Sequence, residues 1–159
     1  MAQRSAGILL WLREGGTLRV LLVHPGGPFW RRRDAGAWTI PKGEYAADED
    51  PLAAARREFF EELGCDLSDR ETADFVPLGE VKQKGGKIVM AFALEGFLDA
   101  GAIRSNMFEI EWPPRSGKRQ SFPEVDRAAW FSIEEAREKI NPAQAELLHK
   151  LLRQNDLDG

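Results

Sequence analysis

A chain of 159 residues has room for one well-packed domain and one site, and too little for two. Its apolar and charged fractions, 43% and 30%, are those of a soluble globular protein, and no apolar run reaches the roughly 20 residues that a bilayer span needs. The formal net charge of −4 argues against broad capture of nucleic acid, which draws on an excess of Lys and Arg.

Arg4 ahead of Ile8-Leu9-Leu10-Trp11-Leu12 imitates a signal peptide, but the run is short, stops at Arg13 and lacks a convincing cleavage site. A first β-strand accounts for it better, and a cytoplasmic location is expected. The single cysteine, Cys65, excludes an internal disulfide and a cysteine-based zinc cluster, in agreement with a reducing compartment.

Residues 5–13 and 18–24 are rich in Leu, Ile and Val and flank Glu14-Gly15-Gly16-Thr17, which predicts a β-hairpin. The breaker-rich stretch 25–36, with Arg31-Arg32-Arg33, reads as an exposed loop before a short strand over 37–40, ended by Pro41-Lys42-Gly43. Asp50-Pro51 then starts a helix over 52–63, with Asp50 as N-cap and Gly64 as stop.

A second hairpin, 74–83 with 87–98, is predicted around Lys84-Gly85-Gly86, followed by an alternating strand over 106–112 and a loop over 113–118. A strand over 128–131 leads to a helix over 132–139, with Ser132 as cap and Glu135 as its capping-box partner. A last helix begins at Asn141-Pro142, with Ala145, Leu148 and Leu152 at helical spacing, and residues 156–159 are expected to fray. Helices between strand hairpins make an α+β domain over residues 1–155 with helices covering a mixed sheet.

The chemistry gathers on the central helix. At roughly 100° per residue, Leu52, Ala55, Phe59 and Leu63 form one apolar stripe, while Glu58, Glu61 and Glu62 share an adjacent arc. Three carboxylates at such spacing repel one another, and one guanidinium, Arg57, within reach of Glu61 at i+4, does not balance them. A hard divalent ion does: Mg²⁺, or Mn²⁺, prefers oxygen ligands and commonly bridges carboxylates to substrate phosphates.

A charged solvent face would carry the same run of residues, so the surroundings decide. Gly43, then Glu49, then Arg57-Glu58-Phe59-Phe60-Glu61-Glu62-Leu63-Gly64-Cys65 resembles the Nudix box at every specified position. With about seven fixed identities, a chance match at a given start is on the order of one in 10⁸. The preceding 38–44 segment, Ser121-Phe122-Pro123-Glu124-Val125-Asp126 and Trp130-Phe131 extend the likeness over nearly the whole chain.

The resemblance implies an α/β/α sandwich in which the box is a loop-helix-loop. It implies a Mg²⁺-dependent pyrophosphohydrolase acting on a nucleoside-diphosphate-linked substrate, with Glu58, Glu61, Glu62 and the Gly43 carbonyl as metal ligands and Arg57 as the orienting partner. Glu49 takes a structural or a catalytic role beside the helix N-terminus. The general base lies in the box or on a distant loop, where Glu124 is the candidate, ahead of Glu109 and Glu111.

Lys42 and Arg31 to Arg33, Arg32 central among them, are the candidates for terminal phosphates, and Trp112, Phe29 or Trp30 for a base. His24 and His149, the only histidines, fit no Ser-His-Asp pattern and read as structural. The carboxylates are intact, which favours an enzyme over a non-catalytic nucleotide-binding module. An enzyme acting on RNA 5′ ends has the same chemistry with a polymeric partner.

Overall fold

The computed structural model describes residues 3–158, and side chains over 3–155. The apolar runs near the N-terminus are apolar on both faces because both faces are covered. Strands β1 (Arg4–Glu14) and β2 (Thr17–Pro25) form the predicted hairpin at the centre of a mixed sheet. On one face Leu9, Val20 and Leu22 pack with residues of the last two helices, and on the other Ile8, Leu10, Leu21 and Val23 pack with Phe59 and Leu63 of the box helix. This is the α/β/α sandwich.

The second predicted hairpin is β4 (Val76–Lys82) with β5 (Ile88–Glu95), and β5 runs parallel to β1. Strand β8 (Val125–Ser132) begins earlier than the predicted 128–131 and pairs with β2, giving the order β4-β5-β1-β2-β8 with β8 at an edge. Helix α2 (Ile133–Lys139) carries the expected capping box between Ser132 and Glu135. After a 3₁₀ turn at Pro142–Gln144, α3 runs over Ala145–Asp158. The expected frayed tail, 156–159, falls on the last turn of α3, whose side chains are outside those described, and on Gly159, which is outside them too.

Two sequence expectations are corrected. Residues 37–40 are not a strand: their backbone groups are shared between neighbours. Thr39 exchanges two hydrogen bonds with Val23, while Trp38 bonds to Lys139 and Asn141 at the end of α2, and the Ile40 N–H donates to the Gln144 side chain. The strand is instead β3 (Lys42–Glu44), which pairs with Ser5, Ala6 and Gly7 of β1. Pro41 does not end it, because the Pro41 carbonyl still accepts from the Ile8 N–H.

The stretch after the predicted loop 113–118 holds an unpredicted strand, β7 (Arg119–Pro123), paired with β6 (Met107–Glu111) in a separate two-stranded sheet. Arg119, Gln120 and Ser121 are exposed and Phe122 and Pro123 half-buried, so burial along the strand does not alternate. Glu109 faces Arg119 across this hairpin at 3.5 Å, and both glutamates of β6 are exposed, as the alternation reading of Glu109 and Glu111 implies.

Candidate active site

The box helix, α1 (Pro51–Leu63), starts and stops where the sequence says. The Asp50 carboxylate accepts from the Ala53 N–H, Pro51 sits in the first turn, and Gly64 ends the helix at φ 74°, a left-handed conformation that suits glycine. Ala54, Ala55, Phe59 and Leu63 are buried, which fixes the rotation of the helix and turns Glu58, Glu61 and Glu62 toward β3. Phe60, the unusual second aromatic, points outward and is exposed.

Arg57 is the hub of the acidic cluster. One of its terminal nitrogens contacts both carboxylate oxygens of Glu49, at 3.2 and 3.1 Å, and the other donates to Glu58 at 2.9 Å. Glu61, the expected i+4 partner, is the more distant at 3.7 Å. Glu49 therefore anchors the guanidinium from the loop before the helix, giving the first glutamate of the box an orienting role.

Glu58 is buried against Gly43 of β3: a Cβ placed on Gly43 would lie 2.0 Å from the Glu58 carboxyl carbon. Only a residue without a side chain leaves that carboxylate its place. The strand that carries Gly43 is held by β1, so the geometry of Glu58 rests on the sheet as well as on its own helix.

A cavity of about 340 Å³ opens beside the cluster, lined by Glu62 of the box, by Lys42 just before it, and by Glu124, Trp30, Gln83 and Lys87 from distant segments. Burial, and then the Glu61 carboxylate, raises the Glu58 carboxyl to about 7. Burial raises Glu62 to about 8 against the opposing pull of Lys42. Glu124 is raised as well, by burial and by Glu61, while burial lowers Lys42 although Glu62 works to raise it. Four glutamates thus crowd around Arg57, Lys42 and Lys87, and the last of these is shared with Glu44 at 4.0 Å, so carboxylates outnumber cations at the site.

Among the described residues, no three acidic, histidine or cysteine groups converge closely enough to enclose a metal on their own. Their mutual repulsion accounts for this: Glu58 turns to Gly43 and Arg57, whereas Glu62 turns to the Lys42 side of the cavity. The donor set still suits Mg²⁺, which keeps several waters and takes one or two carboxylates together with substrate phosphates. It does not suit a dehydrated cage made of protein alone.

Glu124 reaches the cluster through a backbone strap that sequence reading missed. Residues 104–106 dock on the last turn of α1: the Arg104 N–H donates to the Leu63 carbonyl and the Asn106 N–H to that of Glu61. The Glu124 N–H donates in turn to the Asn106 carbonyl, and the Val125 N–H to the Ser105 hydroxyl. The strap is irregular and has no periodic signal.

Of the residues expected to meet substrate, Lys42 and Trp30 line the cavity, whereas Arg31 to Arg33, Phe29 and Trp112 do not. The Trp112 ring packs edge-on against Phe29 at 5.3 Å. Arg32 lines a different cavity, on the far side of the 30–34 segment. Trp30 is the aromatic residue that does reach the cavity. His24, fully buried, lies between Asp126 and the Arg33 carbonyl, a structural place, and His149 is on the exposed side of α3.

Comparison with known proteins gives this arrangement its family. The NUDIX domain matches residues 1–151. The chain belongs to the Nudix family. Over 66 residues it is 36% identical to an RNA pyrophosphohydrolase of Bartonella henselae, 39% of this chain and 35% of that protein. Over 67 residues it is 39% identical to one from Gluconacetobacter diazotrophicus, 40% of this chain and 38% of that one. These matches thus span little more than a third of the curated relatives' length. Among solved structures, a binary complex of Ap4A hydrolase from C. elegans superposes with a TM-score of 0.65 at 21% identity, covering 98% of each chain, which is a likeness of fold. No helix among the described residues is long and apolar enough to cross a membrane.

Proposed function

We propose that this Nudix protein is a divalent-metal-dependent pyrophosphohydrolase that cleaves a phosphoanhydride bond in a nucleoside-diphosphate-linked substrate, a nucleoside triphosphate or a dinucleoside polyphosphate such as Ap4A. One observation carries the reading. Glu58, Glu61, Glu62 and Glu124 are drawn to one side of α1, against Arg57, which Glu49 shares, Lys42, and Lys87, which Glu44 shares, an excess of carboxylates that a divalent cation offsets.

Glu58, Glu61 and Glu62 would hold Mg²⁺ or Mn²⁺. When bound, the ion supplies charge neutralisation at the bridging phosphates and a lowered pKa for a water. The chain's own residues do the rest. Arg57 orients Glu58 and Glu61, Lys42 meets a phosphate oxygen at the cavity wall, and Glu124 takes the proton of the attacking water. Trp30, one face of its ring covered by Arg33, offers the other to a base.

The reading is tested by Mg²⁺-dependent product release from triphosphates, Ap4A, ADP-ribose, and capped and 5′-triphosphate RNA, comparing the wild type with Glu61→Gln. Turnover of one substrate class that the substitution abolishes is the expected result. No turnover by a protein that binds Mg²⁺ and nucleotide would make it a binding module. Action on RNA 5′ ends is the second reading, favoured by the names of the two curated relatives, and the RNA substrates in the panel decide it.

A further inference from the structure

A cavity of about 730 Å³ lies across the 30–34 segment from the glutamates and shares no lining residue with the catalytic cavity. Alternation along the wall keeps the two apart. Thr39 faces the catalytic side and Trp38 the other, Trp30 and Arg31 divide in the same way, and so do Val125 and Asp126. Beneath them, the His24 ring bonds to the Arg33 carbonyl at 2.6 Å and to the Asp126 carboxylate at 2.8 Å, fastening the wall.

The charge of this second cavity is opposite to that of the first. Arg31, Arg32, Arg33, Arg127 and Lys139 line it against Asp34 and Asp126, an excess of three positive charges in a chain of net charge −4. Both acids are already engaged. Asp34 accepts from Lys139 and from the Trp38 ring N–H, and Asp126 holds His24 and lies 3.7 Å from Arg127. Among the described residues, Arg31 and Arg32 have no carboxylate within ion-pair distance.

The floor is the free edge of the sheet. Successive residues 126 to 129 of β8 all line the cavity, so it opens over the strand's unpaired side and not over one face. Ala128 and Ala129 keep that floor shallow, and the Ala128 N–H points away from β2, because Val23 opposite it spends both backbone groups on Thr39. Arginine forks beside an outward N–H match phosphate oxygens, and the volume suits a nucleotide-sized molecule.

We propose that this cavity is a second ligand site, separate from the catalytic one, that takes a polyphosphate-bearing anion without a metal ion. The ligand chemistry is a run of linked phosphates, either free or carried by a nucleoside. The contrast with the first cavity is the core of the inference. Glutamates repel phosphates until a cation intervenes, whereas unpaired arginines attract them directly.

The test is calorimetric titration of the full chain in EDTA with inorganic tripolyphosphate, ATP, adenosine and a short oligoribonucleotide. Tripolyphosphate and ATP are expected to bind one equivalent each, and adenosine none. ATP binding more tightly than tripolyphosphate would identify a nucleoside-bearing ligand, and equal affinity the phosphate chain alone. Arg31→Glu and Arg32→Glu, both at exposed positions, are expected to weaken binding about tenfold or more each, with Arg127→Gln as a milder second variant. Lys42→Gln, which removes a cation from the catalytic cavity, leaves this binding unchanged. The proposal fails if tripolyphosphate does not bind in EDTA, if Lys42→Gln abolishes binding that the arginine variants keep, or if only an oligoribonucleotide binds. That last result would make the groove a polynucleotide track.

Discussion

Glu61 and Glu124 are tied to the same residue: the Asn106 N–H donates to the carbonyl of Glu61 at 2.8 Å, and the Asn106 carbonyl accepts from the N–H of Glu124 at 2.9 Å. A box glutamate on a helix and a carboxylate at the start of a distant strand are thereby held by main chain alone. Side-chain substitution at Asn106 leaves both bonds in place, so the spacing of the two acids is built into the backbone.

If Glu124 takes the proton of the attacking water, Glu124→Gln keeps the fold, the Mg²⁺ affinity and KM, and lowers kcat by about 10²- to 10⁴-fold. Steady-state kinetics with a Mg²⁺ titration checks this. A matched loss of Mg²⁺ affinity would make Glu124 a ligand, and unchanged kcat would remove it from the chemistry.

Gly43→Ala drives a methyl group into the Glu58 carboxylate, which cannot retreat while Arg57 holds it. The expected result is at least about tenfold weaker Mg²⁺ binding, in the range seen when a ligand's supporting contacts are lost. The melting temperature should fall much less, since the strain is local. Mn²⁺ titration followed by paramagnetic resonance reads the affinity directly.

Glu58 and Glu62 ionise near the ordinary 4.5 in the unfolded chain and near 7 and 8 in the folded one. Between those values the unfolded chain binds fewer protons, so the metal-free protein loses stability as the pH rises from about 4.5 to 8. Added Mg²⁺ relieves the repulsion, and its effect on Tm should be larger at pH 8 than at pH 5.5. Thermal melts in EDTA and in Mg²⁺ at the two pH values decide it; an equal Mg²⁺ effect at both would contradict the excess of carboxylates.

Trp30→Ala removes the aromatic wall of the catalytic cavity and, with it, about 1–3 kcal/mol of stacking. KM should rise about tenfold or more for nucleotide substrates, with kcat little changed, and inorganic tripolyphosphate should bind the Mg²⁺-loaded site as before. The same measurements on Trp112→Ala, whose ring is committed to Phe29, should show no such rise.

How much of this was legible in the sequence follows from where each signal resides. The ends of α1 were legible because Asp50, Pro51 and Gly64 act locally, and Glu58, Glu61 and Glu62 because helix spacing places them together. Glu49 was legible as a box position only, since its pairing with Arg57 depends on how the loop before α1 folds back. Lys42 and Arg32 were both offered as phosphate contacts on charge, and only the fold places Lys42 at this cavity and Arg32 at another; Trp112 sits where the sheet ends, but its ring turns to Phe29, a direction that residue type does not carry. The 37–40 segment was misread because its hydrogen bonds go to β2 and to the end of α2, and no period of two or of 3.6 encodes such sharing. The strap at 104–106 and strand β7 left no pattern because neither buries an alternating face.

Strand β1 has three neighbours, β2, β3 and β5, and they differ greatly in when they can form. The β2 partner closes through a short turn, whereas β5 must return from residues 88–95 to lie along residues 4–11. Closing that long loop is paid for in chain entropy before any contact returns it. The hairpin is thus available early in folding and the parallel pair late. Gly43 docks on Ser5 to Gly7, a part of β1 that β2 does not reach, so the hairpin alone leaves the Glu58 carboxylate without its glycine seat, and the cluster waits on contacts of long sequence separation.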